Sequence, residues 1–168
     1  MGAGLVGGQV SRRQSTVITF PWSPMQPDIP TTLLQSGNDL VAQAQAVATQ
    51  DFAAARTLWR QAGVLFQRAH EADPEQHAAA FRLGQAWVAE AHALQKEGSD
   101  DAIAMWRQAA LQCEVAFALD PHHAITAMHI ASCYAWAQDA EAKQAWAQIA
   151  QHLQEEHAAN MAADEAAG

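Results

Sequence analysis

The tetrapeptide Trp59-Arg60-Gln61-Ala62 returns as Trp106-Arg107-Gln108-Ala109, and Asp73-Pro74 returns as Asp120-Pro121. Both pairs stand 47 residues apart. Matches of Ala or Gln alone are cheap in this chain, but two rarer words in one register are not. A fixed spacing of this length implies a supersecondary unit used at least twice, each copy burying its apolar face against the next. Composition decides what the unit is made of. Alanine supplies about a quarter of the chain and glutamine about a tenth, and both favour helix. The β-branched and aromatic residues that a sandwich or barrel needs are scarce. The unit is therefore predicted to be a helical hairpin, and the fold class all-α.

The joints between helices are readable. Asp73-Pro74-Glu75-Gln76 has the order of an N-cap, a first helical Pro and an N3 Gln, and Asp120-Pro121 repeats its first half. Gly98 closes one helix and Ser99-Asp100-Asp101 opens another. Gln138-Asp139 marks a further break. Six helices are predicted, near 31–48, 51–72, 74–97, 99–119, 121–137 and 139–159. Short joints make consecutive helices antiparallel neighbours.

The domain organisation follows. Residues 1–30 form an N-terminal segment, 31–160 the helical domain, and 161–168 an acidic tail expected to fray. Pro21, Pro24, Pro27 and Pro30 predict extended backbone around Thr16 to Met25, a stretch that also carries Trp22 and other large apolar groups. It either lies over its own domain, docks on a neighbouring subunit or partner, or stays disordered.

Charge excludes some functions. Nine Lys+Arg against eighteen Asp+Glu give a net −9. Nucleic-acid binding through a basic face is not expected, because phosphate contacts dominate that affinity. No apolar run approaches the roughly 18 residues of a membrane span, so none is expected. Ser11-Arg12-Arg13 superficially resembles a twin-arginine signal, but prolines replace the apolar run that should follow. Cys113 and Cys133 lie within helical patterns and form no disulfide framework. A reducing, cytoplasmic compartment is the expectation.

No nucleophile elbow, phosphate-binding loop or dinucleotide fingerprint is present, so no catalytic residue and no cofactor is assigned. Glu155, Glu156, Asp164 and Glu165 make an acidic, solvated end. His122, His129 and Cys133 stand at i, i+7 and i+11, where one helix face presents all three to a metal. The alternative, a buried Cys acting as a small hydrophobe, is preferred, so no metal is assigned.

At the repeat positions the chain resembles tetratricopeptide (TPR) repeats. Ala80, Leu83, Gly84 and Trp87 match the first helix of that motif, as do Ala127, Ile130, Ala131 and Tyr134. Ala62, Phe66, Ala69 and Pro74 match the second helix and closing proline, as do Ala109, Cys113, Ala116 and Pro121. The resemblance covers roughly residues 50–150. It implies a short superhelix of stacked antiparallel hairpins, with the helix before Asp51 as a cap. The TPR period is about 34 residues, so the 47-residue unit is longer. The extra residues fall around Ala91–Asp101 and imply a lengthened hairpin able to make a contact of its own.

The resemblance also implies a concave groove lined by first helices. By register it is lined by Ala78, Phe81, Gln85, Val88 and Ala89, then Ile125, Met128, Ser132, Ala135 and Trp136. Trp59, Trp87 and Trp106 are expected in the packing between hairpins, and Trp146 in the packing of the last helix. Trp136 and Trp22 are the expected exposed anchors. The Lys and Asn of a carboxylate-clamping groove are missing, with Arg82 the one nearby cation. An apolar helix or extended segment is the better ligand. The expected function is a non-enzymatic adaptor or chaperone for a protein partner. The alternative is a structural subunit of a homo-oligomer or larger complex, with the N-terminal segment and long hairpin as contacts.

Overall fold

The computed structural model describes residues 29–167. Among them are six helices and no strand: α1 Ile29–Val47, α2 Phe52–Ala72, α3 His77–Lys96, α4 Ala102–Leu119, α5 Ala124–Trp136 and α6 Ala140–Ala167. None is long and apolar enough to cross a membrane. The expected extended segment, with Trp22, lies outside the described residues except at its end. Ile29 and Pro30 already belong to α1, where proline's missing N–H costs nothing in the first turn.

Each helix packs on its neighbour in the chain. Cross-helix pairs run antiparallel: Arg56 with Glu97 and Arg60 with Glu90, Trp106 with Gln95, and Tyr134 with Glu114. One apolar cluster forms around Phe66, Leu83 and Ala62, with Leu34, Leu40 and Val41 from α1 packed on it. A second forms around Trp106, Ala91, Ala109 and Cys133. The half-buried Trp87 packs against both and joins them. Most of the buried apolar residues are alanine.

Two of the joints are alike. Asp73 and Asp120 end their helices with nearly identical backbones, φ −142°, ψ 87° and φ −140°, ψ 86°. Each carboxylate accepts from the amide two residues on, Glu75 and His122, at 3.3 Å. The predicted capping box at Asp73 is therefore corrected. Asp73 is the C-cap of α2, and α3 starts only at Gln76–His77. A two-residue Asx turn competes with helix initiation, and here it wins.

The α3–α4 and α5–α6 joints are Schellman turns. Ser99 N–H donates to Leu94 C=O and Gly98 N–H to Gln95 C=O, both at 3.0 Å, with Gly98 at φ +70°. Asp139 N–H donates to Tyr134 C=O at 3.0 Å and Gln138 N–H to Ala135 C=O at 3.3 Å. Here Gln138 adopts φ +61°, a conformation that favours glycine. Asp139 then caps α6, accepting from Ala142 N–H at 3.0 Å.

Two expectations about length change. Helix α6 continues to Ala167 instead of fraying after 160, because its Ala, Glu and Met residues hold no breaker. The hairpin of α3 and α4, at 20 and 18 residues, is no longer than that of α1 and α2, at 19 and 21, so added length is not peculiar to it. Its tip is held within the molecule. Arg56 pairs with Glu97, Lys96 Nζ sits 3.9 Å from the Phe52 ring centre, and Trp106 Nε1 donates to Gln95 at 3.1 Å.

Small residues set the helix spacing. A Cβ on Gly84 would lie 2.6 Å from Cys113 Sγ, and one on Gly37 would lie 2.4 Å from the buried Phe66 ring. Gly84→Ala should therefore cost about 1–3 kcal/mol through overpacking. Gln138→Gly should add about 0.5–1 kcal/mol by relieving its left-handed backbone. Thermal melts followed by circular dichroism check both; equal melting temperatures for the two variants would contradict them.

Candidate functional site

Helices α1, α3 and α5 bring their side chains to one face. A groove of about 620 Å³ opens there, lined by Val41 and Gln45 of α1, Phe52, Trp59 and Phe66 of α2, and a stripe of α3. That stripe is Arg82, Gln85, Ala86, Val88, Ala89, His92 and Lys96. A second hollow of about 250 Å³ continues along α5 over Met128, His129, Ser132 and Trp136. The two share Val88, His92 and His129, so they form one track.

The expected site residues divide. Gln85, Val88, Met128, Ser132 and Trp136 line the track. Trp136 is 49% exposed and stacks on Trp106 with ring centres 5.9 Å apart. Phe81 does not line it; its half-buried ring is ringed by His77, His123 and His129 at 5.4–5.8 Å. Ile125 does not line it either and is exposed elsewhere on α5. Trp22 lies outside the described residues.

Trp106 is buried and Trp146 packs edge-on to Phe117, as expected. Trp59, expected in the packing between hairpins, is instead half-buried and lines the track. His92, Lys96 and His129 were not anticipated there. The stripe Val88, His92, Lys96 at i, i+4 and i+8 carries the signal for two of them, because α3 simply continues the groove face.

Electrostatics separate this face from the α2–α3 contact beside it. Arg56 and Arg60 each donate twice to Glu90, at 2.6–3.1 Å, and Arg56 also to Glu97. Burial pushes the Glu90 carboxyl up, but these hydrogen bonds and charges outweigh it and hold it at about 2. The groove contains no carboxylate. Its ionisable lining residues are Arg82, His92, Lys96 and His129, all basic. Arg82 donates to Gln85 at 2.8 Å, and among the described residues no carboxylate pairs with Arg82 or Lys96.

Beside the groove lies a histidine and threonine network. Thr126 is fully buried, and its N–H donates to His123 Nδ1 at 3.3 Å. With Nδ1 as acceptor, the Thr126 hydroxyl at 2.7 Å also donates to it and in turn accepts from His77 Nε2 at 3.3 Å. His123 thereby caps α5 through Nδ1. Burial lowers the His77 pKa, with the nearby His123 adding and Asp120 opposing. Burial and then His123 lower that of His129. His122 is exposed, whereas Cys133 is buried against Cys113. A hydrogen bond with Cys133, then burial, raises the Cys113 thiol well above its usual range.

The two kinds of titrating group act in different pH windows. A histidine whose folded pKa lies below its unfolded 6.5 takes up a proton on unfolding. Stability is then complete above that value and falls as pH drops below it. The Glu90 contribution persists to lower pH, lost only as pH falls from 4.5 toward 2. Melting temperature should therefore decline from pH 7 to 5, with a flatter decline in His77→Gln/His129→Gln. An unchanged slope would show that these rings do not titrate with folding. Glu90→Gln should cost about 1–2 kcal/mol at pH 7, measured by urea unfolding, because it removes the negative charge and replaces one of two acceptor oxygens facing two guanidinium groups with an NH2 donor. No family model matches this chain and no curated protein does, so the functional reading rests on the geometry of this face.

Proposed function

We propose that the chain is a non-enzymatic interaction module, an adaptor or chaperone that holds an apolar helix or extended segment of a partner protein along α1, α3 and α5. One observation carries this reading. The track is long, open and largely apolar, and it ends on an exposed indole. A stacked, half-exposed tryptophan is an anchor held ready at little entropic cost. The resemblance to TPR repeats supports the same face, since first helices line the groove in that family. A reducing compartment agrees with two buried free thiols.

A second reading, a structural subunit, is favoured by the opposite face. Val64 and Leu111 stand 47 residues apart and are 59% and 55% exposed, with Val115 beside Leu111 at 43%. The repeat thus presents the same apolar position twice on the outer surfaces of α2 and α4. Contiguous exposed apolar groups of this kind mark contact surfaces.

The two readings separate by experiment. Peptides selected from a random displayed library should be apolar. Their affinity should fall at least tenfold with Trp136→Ala or Val88→Gln, about 1.4 kcal/mol or more, and hold with Leu111→Ser. Titration calorimetry measures each. Selected peptides that ignore Trp136 and Val88 but need Leu111 would move the site to the opposite face.

A further inference from the structure

We infer that the groove of one copy receives the exposed stretch Glu155–Glu165 of α6 from a second copy. This rests on the groove being a docking site for apolar segments, and it names one occupant of that class. Two surfaces on the same chain carry the inference, because each has what the other lacks.

The groove is apolar, and every ionisable group lining it is basic, in a chain whose acids outnumber Lys and Arg eighteen to nine. Arg82 and Lys96 stand near its two ends, 14 residues apart on α3, about 21 Å at a helical rise of 1.5 Å. A ligand matched to it is apolar in the middle and acidic at both ends.

The end of α6 has that form. From Glu155 to Glu165 every side chain is exposed, and the polar contacts of this stretch stay within α6: Gln151 donates to Glu155 and His152 pairs with Glu156. Glu155, Ala158, Ala162 and Glu165 stand at i, i+3, i+7 and i+10, within one helical face. Ala159 and Met161 flank that face, and Met161 is 59% exposed. The carboxylates are about 15 Å apart along the axis. Arg82 and Lys96 meet them by leaning inward about 3 Å each, well within the reach of such long side chains. Alanines between the acids let the helix sit close to the groove floor.

The other occupant from this chain fits less well. Residues 1–28 hold Arg12 and Arg13 against the single acid Asp28, the same sign of charge as the groove. In its own chain α6 supplies no residue to the groove lining and touches the track only at its α5 edge. It packs along α5 through Gln154, whose amide meets Met128 Sδ, and continues as one unbroken helix. The contact therefore joins two different patches on two copies. It closes as a dimer if the exchange is reciprocal and propagates if it is not.

Sedimentation equilibrium of the full chain, from low micromolar to near millimolar, should show mass above the monomer rising with concentration. Arg82→Glu with Lys96→Glu should weaken self-association at least tenfold, and so should Glu155→Lys with Glu165→Lys. All four positions keep their helical context, and circular dichroism checks that helicity is retained. Mixing the two reversed variants should restore association, because opposite charges then meet again. A synthetic peptide of residues 154–165 should compete with self-association of the full chain, a readout that needs no substitution. A chain that stays monomeric throughout, or reversed variants that associate as the unmodified chain does, would overturn the inference. If such a monomer still binds selected apolar peptides through Val88 and Trp136, the groove reading stands and only the α6 occupant falls.

Discussion

The close approach of α3 to α4 through Gly84 governs much of this fold. Cys113 Sγ occupies the space where a Cβ would be, and Cys133 closes the same contact from α5. With alanine at most other buried positions, the helices can draw near without large side chains between them. A few bulky groups then have decisive positions. Phe66 fills the α1–α2 contact against Gly37, Trp106 anchors the second cluster, and Trp87 spans both. A core so dependent on alanine has little slack, so added volume is felt directly.

That economy leaves an apolar face uncovered. Short helices packed on chain neighbours bury one stripe each. The lining of α1, α3 and α5 remains open as a continuous track. Charge is sorted across the same framework. Arg56 and Arg60 of α2 are neutralised by Glu90 and Glu97, the ionisable groups of the groove are all basic, and carboxylates collect on the exposed stretch 155–165 of α6. The net charge of −9 conceals this division, because it sums over surfaces with different partners.

Local signals carried a large part of the architecture. Helix number, their order and their antiparallel sense were legible in periodicity and punctuation. Gly98 and Gln138-Asp139 end helices where expected. The Asp-Pro joints were placed correctly and interpreted wrongly. An aspartate before proline can cap the helix that follows or close the one behind, and only the path of the backbone distinguishes them. In the site, Gln85, Val88, Met128, Ser132 and Trp136 were legible from register. Phe81 was not, because two of its ring neighbours, His123 and His129, stand 42 and 48 residues away along the chain.

The sequence by itself determined an all-helical chain and the positions of its breaks, since each depends on residues close together in the chain. Tertiary structure decided the rest. It tied the hairpin tip to α2, carried the groove past Val88 to His92 and Lys96, and left the stretch 155–165 of α6 exposed. Those outcomes depend on which side chains meet across helices. Contacts of that kind are set by helix spacing and crossing, which the pattern of any single helix does not encode.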